Sequence, residues 1–178
     1  MTSTFANLGD PAPYHLLAYG TLLGSTLFQS FIGGVVAFRV LPRPQFASLQ
    51  SKIFPVYFTL QTLIPAALYL TQPASLSNAS LSPSTTTTFS TATNLTIAMA
   101  AGGLLNLVLV GPQTTAVMRE RKHQETRDGK KSYDAGPHSK EMEALNRKFA
   151  ILHGVSSATN LVVLGAVVAY AFLVGARL

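Results

Sequence analysis

The sequence predicts an all-α integral membrane protein, an antiparallel four-helix bundle with its N- and C-termini on the non-cytoplasmic side. Three observations predict it. Residues 53–118 contain no Lys, Arg, Asp or Glu, a run of 66 residues that a soluble domain of this size could not hide. Two further uncharged runs cover 11–38 and 149–176. Twelve of the 13 basic residues fall in the gaps between these runs, 39–52 and 119–148. Apolar stretches of this length cross a bilayer, and clustered positive charge marks the loops kept on the cytoplasmic side.

Composition narrows the function classes. Only 11% of residues are charged, against about 25% in ordinary globular chains. Cysteine is absent, which excludes a disulfide framework, a thiolate metal site and a cysteine nucleophile. The net charge of +6 points to lipid headgroups rather than nucleic acid, because the basic residues flank apolar spans instead of forming a binding face.

The whole chain, 1–178, reads as one membrane domain. The first span is expected at about 14–38; it is too long for a signal peptide and has no basic stretch before it, so it reads as a retained anchor. The second is expected at about 53–70, with Pro55 in its first turn and a kinking Pro65 inside. Phe46, Leu49 and Ile53 share one helical face just before it, which suits a short interfacial helix or an extension of the span. The third is expected at about 94–118, loosened near Pro112. The fourth is expected at about 149–174, continuing a helix capped by Ser139.

The segment 71–93 reads as a Ser/Thr-rich outer loop. It carries Asn78-Ala79-Ser80, a candidate glycosylation acceptor if that side is the ER lumen. The inner loop, 119–148, holds nine basic and six acidic residues, and its middle, 125–138, reads as mobile linker.

Polar side chains inside hydrocarbon need partners. His153, Ser156, Ser157 and Asn160 form a stripe on the fourth span, Asn106 and Gln113 on the third, Gln61 and Thr62 on the second. Gln61, Asn106, Ser157 and Asn160 are the expected interhelical network. Such contacts are worth about 0.6 kcal/mol each, and with no ionised side chain among them we read them as interhelical bonding ahead of a solute cavity. Patterns such as Gly20-x-x-x-Gly24, Gly102-Gly103 and Gly165-x-x-x-Ala169 are expected to let backbones approach.

Catalytic residues, cofactors and metal ligands are not expected. No span contains Asp or Glu, and His15 and His153 should lie a membrane thickness apart. Ser156-Ser157 beside His153 has no orienting acid.

The stretch Leu41-Pro42-Arg43, then Phe46, then Leu49-Gln50-Ser51-Lys52-x-Phe54-Pro55-x-Tyr57-Phe58 resembles the transmembrane protein 205-like family. His15-Leu16-Leu17, Phe38-Arg39, Pro112-x-Thr114-Thr115-Ala116-x-Met118 and His153-Gly154-x-Ser156-Ser157-x-x-Asn160 extend the resemblance over all four spans. Gly111 stands where the family often has an acidic residue, and the Ser/Thr loop is longer than the family pattern. The resemblance implies a small four-span membrane protein with no established enzymatic activity or cofactor.

On the same residues, Arg39, Arg43, Lys52 and His153 are expected to form a basic, aromatic-rimmed corner between the first two spans and the fourth. It would take a lipid headgroup or an anionic partner, with Phe54 and Phe58 in acyl chain; the simpler alternative is anchoring by snorkelling side chains. The function expected is a structural or regulatory bundle binding membrane lipids or partner proteins. The alternatives are a solute-transporter subunit acting as a homo-oligomer, and an enzyme acting on lipid. An endomembrane or plasma-membrane location is expected, with the mitochondrial outer membrane as rival.

Overall fold

The computed structural model describes residues 9–72 and 91–176, and every regular element among them is helical. Four helices result: α1 (Pro11–Val40), α2 (Arg43–Leu70), α3 (Thr91–Asp128) and α4 (Lys140–Gly175), each long and apolar enough to cross a membrane. They run up and down in turn, so the start of α1 meets the ends of α2 and α4. The expected loop around Asn78 lies outside the described residues.

Local chemistry sets the boundaries. Asp10 caps α1 by accepting from the Ala12 N–H at 3.0 Å, with Pro11 in the first turn, where a missing N–H does no harm. Pro44 plays the same part in α2, which begins ten residues before the expected span and absorbs the Phe46 segment as its extension, so that Pro55, expected in the first turn, lies inside the helix. Ser139 caps α4 as expected, accepting from Met142 N–H at 3.1 Å.

Two helices are widened near their middles. In α3 a π-helical turn covers Asn106–Val110, directly before Gly111-Pro112. Proline's ring crowds the carbonyl four residues back, and a wider turn relieves that crowding. The loosening expected near Pro112 therefore takes the form of a π turn. In α1 a second π turn covers Phe28–Gly33, which nothing in the sequence reading anticipated. A Cβ on Gly33 would stand 2.9 Å from the Phe28 ring, so the glycine makes room for it.

The sequence reading expected several small-residue patterns to bring helices together, but one pair does so. Gly20, Gly24, Gly154 and Gly165 have open space where a Cβ would sit. By contrast, a Cβ on Gly103 would lie 2.7 to 2.9 Å from the Gln61 carbonyl and the Thr62 nitrogen, and one on Gly102 would lie 2.5 Å from the Val163 side chain. Pro65 explains the first contact. It lacks the N–H that would bond to the Gln61 carbonyl four residues earlier, and Gly103 lets α3 close over that freed oxygen.

The core fills the space between the four helices toward the His15 end. Leu22 of α1, Leu68 of α2, Met99 of α3 and Val163, Val167 and Tyr170 of α4 form it.

The charged segment is folded, where the sequence reading placed a mobile linker over 125–138. α3 continues ten residues past Met118 to Asp128, and Gly129 turns the chain with φ +60. The Glu125 carboxylate then accepts from the Ser132 backbone N–H at 3.0 Å and its hydroxyl at 2.6 Å. Asn146 donates to the Ser132 carbonyl at 3.3 Å. Burial raises the Glu125 carboxyl, but the Ser132 bonds and the Lys131 and Arg121 charges together hold it below its usual value. A segment that composition reads as linker is thus closed into a helical hairpin by hydrogen bonds that Ser132 makes with Glu125 and Asn146.

The Gly103 contact makes a prediction. Gly103→Ala must separate α2 from α3 and should destabilise the detergent-solubilised protein by about 1–3 kcal/mol, as overpacking does. Gly154→Ala, with open space at its Cβ, should be neutral or slightly stabilising in the same melting experiment.

Candidate functional site

Three clusters of polar or charged side chains lie along the bundle, one at each end and one between.

At the end away from the charge, His15 is buried and joins three helices. The Thr71 hydroxyl donates to the Ala67 carbonyl at 2.7 Å, so its oxygen can only accept from His15 Nδ1, 3.0 Å away. Nδ1 therefore carries the proton, and Nε2 accepts from the Tyr170 hydroxyl at 3.1 Å. Tyr19, one turn along α1, donates to the Val167 carbonyl at 3.2 Å. The sequence reading named His15 and missed its partners. Its one available signal was the four-residue spacing of His15 and Tyr19, which puts both on one face.

In the middle cluster the expected interhelical network reduces to the Asn106–Asn160 pair, because Gln61 bonds within its own helix. Gln61 and Asn106 are fully buried. Gln61 donates to the Tyr57 hydroxyl at 2.7 Å, with Thr26 and Ser30 of α1 beside the same hydroxyl. Asn106 Nδ2 lies 3.4 Å from Asn160 Oδ1, a long bond between α3 and α4. Ser157 does not join them; it is exposed, three residues before Asn160 and turned away from the α3 contact. Three buried polar atoms of this cluster lack a hydrogen-bond partner: Thr26 Oγ1, Gln61 Oε1 and Asn106 Oδ1.

At the charged end the expected corner divides in two. The Arg43 guanidinium lies 4.1 Å over the Phe38 ring, and Phe38 meets Phe46 edge-on at 5.4 Å, so α1 and α2 do build a basic, aromatic corner. Arg39 and Lys52 are exposed beside it. His153 belongs to a different group: it stacks on Phe149 at 5.9 Å, and Arg121 of α3 covers that ring at 4.6 Å. Seventeen residues separate His153 from Tyr170, about 25 Å along a helix, which keeps the two histidines apart as expected. Phe58, expected in acyl chain, is instead buried in the core and stacks on Phe54 at 5.4 Å.

Among the described residues, no group of three or more His, Asp or Glu could hold a metal ion. The arrangement can tie helices together and attract anions to one end.

His15→Ala breaks two bonds between helices and leaves the Tyr170 hydroxyl facing an apolar gap. A loss of about 1–3 kcal/mol in unfolding free energy is expected, the usual penalty for an orphaned buried polar group. His153→Ala should stay near wild type, and equal effects from the two would contradict the assigned bonds.

Comparison with known proteins gives little functional detail. A 73-residue stretch is 38% identical to the xanthocillin biosynthesis cluster protein D of Aspergillus fumigatus, covering 41% of this chain and 47% of that protein. The match thus spans about half the length of that curated relative. No solved structure matches. The DUF4149 profile, described as a domain of unknown function, matches residues 17–123, taking in most of α1, all of α2 and most of α3. The chain belongs to the DUF4149 family.

Proposed function

We propose that this protein is a non-enzymatic multi-pass membrane bundle, structural or regulatory, that binds lipids or partner proteins. The observation that supports it most is the closure of the midplane. Gln61 and Asn106 have no exposed surface, and each turns its amide N–H toward another side chain of the bundle. Gly103 seats α3 directly on the α2 backbone at the same level. The resemblance to transmembrane protein 205-like proteins supports the same class.

In this reading the positive-inside rule puts the 39–52 segment and the 119–148 hairpin on the cytoplasmic side. Both termini and the Ser/Thr-rich segment then lie on the far side, in the endomembrane system or at the plasma membrane. The mitochondrial outer membrane is the rival location. Membrane lipids are the expected partners, together with further copies of the chain or other membrane proteins.

A second reading, a subunit of a small-solute transporter, is favoured by the orphaned Thr26, Gln61 and Asn106 atoms. Buried groups of this kind are where a polar solute or a water would bind. The relative's place in a biosynthesis cluster is compatible with either reading and selects neither.

Replacing both facing amides separates the two. Asn106→Ala with Asn160→Ala should lower the melting temperature of the purified protein and promote misassembly, because the change removes an interhelical bond and leaves a cavity. If the double variant melts like wild type but abolishes a solute flux that wild-type proteoliposomes show, the transporter reading holds instead.

A further inference from the structure

The half of α1 nearest the charged end stands away from the bundle. Its first half buries His15, Tyr19, Leu22 and Thr26, whereas Phe28–Gly33 and Gly34–Val40 bury nothing. The π turn marks the change. Between this half of α1 and α2 runs a groove of about 460 Å³, walled by Ile32, Val36, Val40 and Leu41 on one side and by Leu49 and Ile53 on the other. Gln29 and Gln50 line its deep end and hydrogen-bond to each other at 3.4 Å, which leaves the wall apolar.

From Gln29 to Val40 is eleven residues, about 16 Å of helix at 1.5 Å per residue. The α2 wall at Gln50 lies eleven residues, about 16 Å, beyond Gln61, so the groove opens at the charged rim of the ~30 Å hydrocarbon core. The volume falls within the ~300–1,000 Å³ typical of ligand pockets.

Charge identifies the occupant. At the shallow end, Val40 and Leu41 are flanked by Arg39 and Arg43. Among the described residues neither arginine has a carboxylate within ion-pair distance; the one ion pair there is Lys131 with Glu125. Residues 11–118 hold three basic side chains and no acidic one. An apolar slot about 16 Å long with uncompensated positive charge at its mouth is complementary to an anionic amphiphile. A second copy of the chain fits less well, since a two-fold pairing through this face would bring Arg39 and Arg43 toward their own counterparts.

We propose that this groove holds one acyl chain of an anionic phospholipid whose phosphate is bound by Arg39 and Arg43. The proposal rests on the lipid-binding reading above and names the lipid class and its place.

The chain has no Trp, so a single introduced Trp reports alone. Leu49→Trp places it in the groove, and Leu63→Trp places it on α2 outside the groove, at a position 61% exposed. Each full-length variant is reconstituted in phosphatidylcholine vesicles containing a minor fraction of dibrominated phosphatidylglycerol or, separately, dibrominated phosphatidylcholine. In the Leu49→Trp protein, quenching should show phosphatidylglycerol favoured about fivefold per arginine, the scale of attraction of one basic residue to anionic lipid. In the Leu63→Trp protein the two lipids should quench alike. Adding Arg39→Gln and Arg43→Gln, both exposed, should bring the Leu49→Trp ratio to one while phosphatidylcholine still quenches. Adding Ala37→Phe should instead reduce quenching by both lipids.

Equal quenching by the two lipids in the Leu49→Trp protein overturns the proposal. So does a groove Trp shielded from both lipids while the Leu63→Trp protein is quenched, because a protein surface would then cover the groove. Either failure leaves the outcome of the Asn106 and Asn160 experiment untouched, so the site and the broader reading fail separately.

Discussion

Hydrocarbon offers no hydrogen bonds, and that one constraint organises the structure. Each polar group carried into the membrane must find its partner inside the protein or lie at an edge that water reaches. The bundle answers the demand on three levels, and at the middle one it leaves Thr26 Oγ1, Gln61 Oε1 and Asn106 Oδ1 without a partner. At one end His15 spans three helices through Thr71 and Tyr170. At mid-depth Gln61 and Asn106 turn to Tyr57 and Asn160. At the other end the charges gather on the turn after α1 and on a hairpin that continues α3 and α4 beyond their apolar lengths.

Backbone chemistry makes the middle level possible. Pro65 and Pro112 each withdraw an N–H from a helix, and both helices respond without breaking. The carbonyl freed by Pro65 is covered by Gly103, while the strain before Pro112 is taken up by the π turn at Asn106–Val110. Proline is tolerated in membrane helices when neighbouring helices re-satisfy or cover the freed groups. The same elements that could have loosened the bundle therefore set where α2, α3 and α4 approach closely. α1, which has no internal proline after its first turns, widens at Phe28–Gly33 and leaves α2 partly uncovered.

The fold was largely legible because its signals are one-dimensional. Charge-free runs gave the four helices, and Ser139 and Pro112 marked a cap and a distortion that the structure contains. What was not legible depends on which way a side chain turns. Ser157 and Asn160 share a stripe by spacing, yet one is exposed and the other meets Asn106. Gly103 and Gly165 both sit in small-residue patterns, but a freed carbonyl lies opposite the first and nothing lies opposite the second. The hairpin was misread for a related reason: its charges looked like linker because the Glu125 to Ser132 bonds join residues seven apart across a glycine turn. At the corner, helix ends at equal depth suggested one site for Arg43 and His153, whereas each packs on its own phenylalanine, Phe38 and Phe149.

A bundle closed to water at mid-depth is best tested by backbone amide exchange of the full chain in lipid nanodiscs. The amides of Asn106–Val110 and of the Gln61 turn should exchange far more slowly than those of residues 130–138, since no water reaches the midplane. Exchange at Asn106–Val110 as rapid as in the hairpin would reveal a wet path through the bundle and contradict the sealed core.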